Sequence, residues 1–285
     1  MTVGCGKIAG MKKVILCILA LVLIAGCART ARIKRVSVKK PVQKEAAATE
    51  RHLNVGEKLT YLVAWKSIPV GLATVTLEEI TKIEDYRVYK IVLVAQTNKF
   101  LSKIFPVRDT LISYVDTEKI ISRRYEAVIR EGRYKKDLIV DYDPVKQVAT
   151  YKNSRDGTVK TCAIQKDVRD PVCAAYYLRT IPLTLGGNIK LTVNLCENNY
   201  EIFAEISEEA DIDLGKLGSF GAYLIKPCVM LKGEPQKRGK ARGYVSTDEK
   251  RLPLFIVVKV LEIPWIGEVT ATLKKIETSG RLKNR

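Results

Sequence analysis

Leu59-Thr60-Tyr61-Leu62-Val63-Ala64-Trp65 and, after Lys66-Ser67-Ile68-Pro69-Val70-Gly71, Ala73-Thr74-Val75-Thr76-Leu77 form the stretch whose reading decides the fold. Leu59, Tyr61, Val63 and Trp65 alternate with their neighbours, and Ala73, Val75 and Leu77 alternate with threonines. Side chains on a strand point to opposite faces in turn, so a period of two marks a strand with one buried face. Ile68-Pro69-Val70-Gly71 reads as the break between the two strands.

Working outward, the same rhythm and β-branched composition recur at Tyr86 to Thr97, Thr110 to Val115, Arg123 to Arg130, Tyr134 to Asp141 and Gln147 to Lys152. Tyr142-Asp143-Pro144-Val145 is a turn, because proline pre-sets the backbone angle at the second turn position. One helix interrupts the series: Asp170 caps it, Pro171 takes the first helical position, and Val172 to Thr180 follows with Arg179 near its end. Strands resume at Ile189 to Leu195, Tyr200 to Ile206, Phe220 to Ile225, Ala241 to Ser246, Leu254 to Val260 and Glu268 to Lys275. With about a dozen strands and no helix between successive ones, antiparallel pairing is expected. The expected fold is mainly β: a large curved antiparallel sheet, closed or half closed into a barrel, with one short helix. A two-sheet sandwich is the alternative.

Upstream, Val14 to Ile24 is an apolar run of 11 residues behind Lys12-Lys13. That suits a signal peptide and falls short of the roughly 20 residues a spanning helix needs. Ile24-Ala25-Gly26-Cys27 resembles the lipobox of bacterial lipoproteins, in which the cysteine thiol receives diacylglycerol and the preceding peptide is removed. The resemblance implies acylation at Cys27, with each buried methylene worth about 0.8 kcal/mol of membrane affinity. Ala28, where an Asp often retains such proteins in the inner membrane, implies the outer membrane, facing the periplasm. Met1 to Gly10 fits no signal region, and initiation at Met11 gives a cleaner one. The expected organisation is a signal peptide over 1–26, a lipidated basic flexible tether over 27–51 and a single β-rich domain over 52–285.

The net charge of +18 is unevenly spread. Three lysines precede Cys27 and residues 28–51 carry a surplus of six, leaving +9 on the remaining 234 residues. This is a mildly basic domain behind a strongly basic tether, whose side chains lie within reach of anionic head groups. The compartment and the lack of any helix-turn-helix, zinc-finger or ribonucleoprotein signature argue against nucleic acid. Of seven cysteines, Cys162, Cys173, Cys196 and Cys228 remain once Cys5 and Cys17 leave with the leader and Cys27 is modified. They permit two disulfides in three pairings, or serve as four small apolar residues. No CxxC pair occurs, and the one histidine is His52. Ser-His-Asp, Cys-His and His-rich zinc chemistry therefore have no footing, and no metal or cofactor is implied.

Gly56-Glu57-Lys58-Leu59-Thr60-Tyr61 with Gly71, Pro106-Val107-Arg108-Asp109, Ser113-Tyr114-Val115-Asp116 and Arg130-Glu131-Gly132-Arg133-Tyr134 recur in order with Asp170 to Arg179, Leu183, Gly186, Asp248 and Pro253. In order and spacing these resemble domain of unknown function 3108, a family of bacterial envelope proteins, over most of 55–275. The resemblance implies an exported β-rich fold and brings no activity. The basic loop Lys232 to Arg242 departs from it. Gly215, Gly218 and Gly221 are read as turns or a bulge, since they lack the strand-to-helix context of a phosphate loop.

The candidate site is the charged set Arg108, Asp109, Asp116, Arg130, Glu131 and Arg133. A glycosidase needs two carboxylates facing each other across a sugar; ion pairs and turn caps are the structural reading of the same residues. The expected function is a non-catalytic, lipid-anchored envelope protein whose sheet binds an apolar or glycan ligand or an envelope partner. A scaffold without a small ligand and a carboxylate-dependent glycan hydrolase are the alternatives.

Overall fold

The structure, a computed structural model, describes residues 32–35, 53–236, 239–260 and 267–279. The leader, Cys27 and His52 lie outside the described residues. Sixteen strands and one helix are formed: β1 (Arg32–Arg35), β2 (Glu57–Trp65), β3 (Ile68–Ile83), β4 (Tyr86–Thr97), β5 (Arg108–Asp116), β6 (Ser122–Glu131), β7 (Tyr134–Asp143), β8 (Val148–Asn153), β9 (Val159–Ala163), α1 (Pro171–Thr180), β10 (Asn188–Leu195), β11 (Asn198–Asp213), β12 (Ser219–Leu231), β13 (Glu234–Pro235), β14 (Gly239–Ser246), β15 (Pro253–Val260) and β16 (Glu268–Thr278).

All strands belong to one antiparallel sheet. β2 to β9 pair in sequence, each with the next, and β10-β11-β12-β14-β15-β16 form a second meander. The two join where β16 pairs β2, with Ala271 opposite Val63. The sheet does not close, so of the two barrel forms expected the half-closed one is found. Its free edges approach through side chains: Asn199 Nδ2 donates to Ala163 O at 2.7 Å and Lys160 pairs with Glu197 at 3.0 Å.

The helix fills the trough. Asp170 caps it as the sequence predicts, accepting from the backbone N–H of Val172 at 2.8 Å and Cys173 at 3.0 Å. Its other carboxylate oxygen accepts from the hydroxyls of Ser113 and Ser122, both at 2.6 Å, which ties the helix start to β5 and β6. Val172, Cys173 and Tyr176 pack into the larger apolar cluster, while Ala174 and Leu178 pack into a second one against β10, β11, β12 and β14. At the other end, Arg179 Nη1 and Nη2 donate to the two oxygens of Glu57 at 2.6 and 3.0 Å, with both residues buried.

Several expectations change. The break between the first two strands is not at Ile68-Pro69-Val70-Gly71 but at Lys66-Ser67, both in the left-handed region that a two-residue hairpin turn needs. Pro69 is accommodated next to a register shift between Val63 and Ala64. Gly71 faces β4 so closely that a Cβ would lie 2.2 Å from Gln96 O. Within the stretch read as tether, Arg32–Arg35 pairs as a strand with the end of β11, placing Arg32 opposite Asp213 and Lys34 opposite Asp211.

Arg179→Met strands a buried carboxylate at Glu57 and is expected to cost about 3–5 kcal/mol, read as a lower urea midpoint. Glu57→Met combined with Arg179→Met should lose less than Arg179→Met alone. A single variant that unfolds at the wild-type midpoint refutes the clamp.

Candidate functional site

The structure divides the six charged candidates among four settings. Asp116 ends β5 and caps the turn that follows, accepting from the N–H of Glu118 at 3.0 Å and Lys119 at 2.9 Å. Its second oxygen takes the Arg123 guanidinium at 2.7 Å, and Arg123 in turn lies over the Tyr86 ring. Burial works against the Asp116 charge, but the bonds from Lys119 and Arg123 outweigh it and hold the carboxyl below its usual range. Arg130 pairs with Asp137 at 2.5 Å on β7. Arg108 and Arg133 are exposed.

Asp109 and Glu131 are brought together. Val107 bridges to Glu131, Gly132 N–H donates to Pro106 O at 2.8 Å, and Arg130 N–H donates to Asp109 Oδ1 at 2.7 Å. Gly132 has φ +56, and a Cβ there would lie 2.9 Å from the Phe105 ring, so this crossing requires glycine. Both carboxyls are buried and interact with each other, and Asp109 Oδ2 and Glu131 Oε1 find no hydrogen-bond partner elsewhere among the described residues. Burial first, then the neighbouring Asp109 charge, pushes Glu131 up to about 8, so at neutral pH it keeps its proton and donates it to Asp109. Burial raises Asp109 as well. The pair can hold and release a proton. Glycosidase carboxylates stand about 5–9.5 Å apart with the sugar between them, whereas nothing sits between two carboxyls bonded to each other.

The four cysteines are all thiols, so neither of the two disulfides that the sequence permits is formed. Cys173 is buried on α1 while Cys228 is exposed on β12, where it contacts the Met230 sulfur. Among the described residues no three His, Cys, Asp or Glu side chains gather as a metal site requires. Among the described residues, two small cavities lie against the trough. One of about 30 Å³ is lined by residues including Leu178, Leu191, Ile202, Ile225 and Arg251, and one of about 10 Å³ lies against Tyr125, Tyr142 and Tyr151.

Sequence reasoning passed over the Glu57–Arg179 pair and the Asp170 bonds to Ser113 and Ser122, although all of these but Ser122 sit in the quoted motifs. It also passed over Phe100 and Ile104, two strongly exposed apolar residues in the loop between β4 and β5. Their one local signal is Lys99-Phe100-Leu101-Ser102-Lys103-Ile104-Phe105, where lysines interleave with large apolar residues.

An unfolded glutamate loses its proton near 4.3, whereas folded Glu131 loses it near 8. Across that window the folded chain holds a proton that the unfolded chain has lost, so Glu131 makes stability fall as pH rises and level off above about 8. The wild-type urea midpoint is expected to drop between pH 5 and 8. Glu131→Gln, which keeps a donor to Asp109 and cannot ionise, should flatten that slope; equal slopes in both proteins refute the protonated pair.

A family described as protein of unknown function, DUF3108, matches residues 60–274. No curated protein matches the chain. Among solved structures, the β-barrel-like protein of domain of unknown function DUF1849 from Brucella abortus aligns with a TM-score of 0.50 at 9% identity. The alignment covers 80% of this chain and 99% of that one, a likeness of fold alone. With its matched region spanning β2 to β16, the chain belongs to the DUF3108 family.

Proposed function

We propose that the protein is a lipid-anchored scaffold of the bacterial cell envelope, held by acyl chains on Cys27 at the outer membrane and facing the periplasm. It acts through its outer surface and neither encloses a small ligand nor turns over a substrate. The observation that carries this reading is the filled trough. Ligand pockets run to about 300–1,000 Å³, and the two cavities here measure about 30 and 10 Å³. The larger has room for about two water molecules, and none for an acyl chain or a sugar ring. The buried Asp109–Glu131 pair and the Asp116 turn cap account for the acidic candidates without a reaction. The basic tether adds head-group attraction of about 1 kcal/mol per Lys or Arg near an anionic surface.

Metabolic labelling with a fatty acid is expected to mark the wild-type chain and to fail in Cys27→Ser; an unlabelled wild type overturns the anchor. Native mass spectrometry of the purified chain is expected to show the mass of the polypeptide with its acyl chains alone. One lipid or glycan bound per molecule overturns the scaffold in favour of a carrier. Glycan hydrolysis lost in Asp109→Asn overturns it in favour of a hydrolase.

A further inference from the structure

Three connections meet at one end of the sheet: the β2–β3 turn at Lys66-Ser67, the β4–β5 loop over 98–107 and the β6–β7 turn at Gly132-Arg133. They are bonded into one rim. Asn98 N–H donates to Val70 O and Asn98 Nδ2 to Pro69 O, both at 2.8 Å, while Asn98 Oδ1 accepts from Leu101 N–H at 2.8 Å. Gly132 N–H holds Pro106, and Phe105 lies against Gly132. On this fixed frame Phe100 is 76% exposed, Ile104 71% and Ile68 61%. Large apolar side chains so exposed, side by side on a rigid rim, mark a contact surface.

The charges on the two connections that carry Phe100, Ile104 and Arg133 are all basic, while Glu268 stands beside Lys66. Lys66, Lys99, Lys103, Arg108 and Arg133 are exposed, and no carboxylate among the described residues pairs with Lys99, Lys103, Arg108 or Arg133. The acids of the adjoining motifs, Asp109 and Glu131, are buried and turned to each other. Lys66 lies over the Trp65 ring at 5.5 Å, an aromatic and a cation at the same tip. Lys232 and Lys240 stand at the same end, where β12 gives way to β14.

We propose that this rim binds the surface of an anionic bilayer, with Phe100 and Ile104 entering the acyl boundary while Lys99, Lys103 and Arg133 meet lipid phosphates. Protein-binding patches gather their apolar groups in a core depleted of lysine. Here the two most exposed apolar residues of the rim each have a lysine directly before them, Lys99 before Phe100 and Lys103 before Ile104. That interleaving suits a water–lipid interface, where lysine stems lie along apolar surface and their heads stay among phosphates. The contact is made by the folded domain and does not depend on acylation of Cys27.

The test places a reporter at the tip. The full chain carrying Phe100→Trp is mixed with vesicles of phosphatidylglycerol or of phosphatidylcholine, each with brominated acyl chains, and the unsubstituted chain is subtracted to remove Trp65 and Trp265. The emission that Phe100→Trp adds is expected to shift to the blue and fall at least two-fold with phosphatidylglycerol, with little change for phosphatidylcholine. Adding Lys99→Glu and Lys103→Glu should abolish the fall. The proposal is overturned if that emission stays unquenched while the chain floats with the vesicles, if both lipids quench equally, or if the charge reversals leave quenching intact. A photo-crosslinker at Phe100 that captures protein in cells, with no quenching by lipid, overturns it in favour of a protein partner.

Discussion

A carboxylate and a guanidinium withdrawn from water, Glu57 and Arg179, fix the relation between the first long strand and the one helix, and the rest of the fold is arranged around that relation. Taking two charges out of water is costly, and their attraction offsets the cost only in good geometry with every hydrogen bond made. The two-pronged contact meets that condition, and Arg179 Nε adds a bond to Lys250 O at 3.2 Å, reaching the turn before β15. The opposite end of the helix is tied to β5 and β6 through Asp170. One ten-residue helix thus couples both meanders, and a sheet with unpaired edges acquires a packed interior.

The same arrangement separates what the family motifs do from what the surface does. Glu57, Asp109, Glu131, Asp170 and Arg179 all face inward, each serving another backbone or side-chain group. These charged residues are thus taken up by contacts that hold the fold.

Much of the fold was legible because its signals are local. Tyr86–Thr97 was read with its observed bounds, since Tyr89, Ile91, Leu93 and Ala95 supply one buried face. The helix was read from Asp170 and Pro171, whose capping roles need only the next few residues. β9 was missed because its residues are mostly exposed and carry no alternation. The second half of β11 was missed because Glu208, Glu209, Asp211 and Asp213 have low strand preference and mask the burial of Ala210 and Ile212. The meeting of Asp109 with Glu131 follows from the pairing of β5 with β6 and from the Val107–Glu131 bridge beyond its end, neither of which a local pattern shows. The Glu57–Arg179 contact spans 122 residues, and no local rule connects them.

The short strand β1 sets a limit of reach. Register carried from β11 through β12, β14, β15, β16 and β2 puts Asp213, and Arg32 opposite it, at the end of the sheet far from Phe100. At about 3.4 Å per extended residue, the five steps from Cys27 to Arg32 span about 17 Å. The 16 residues of β3 run for about 53 Å. With β1 paired, an anchor at Cys27 therefore keeps the β11 end near its leaflet and aims Phe100 and Ile104 away from it. With β1 released, the 26 steps from Cys27 to Leu53 reach about 90 Å, enough for the domain to turn over. Under the proposed Cys27 anchor, four residues of backbone pairing would decide which way the domain faces.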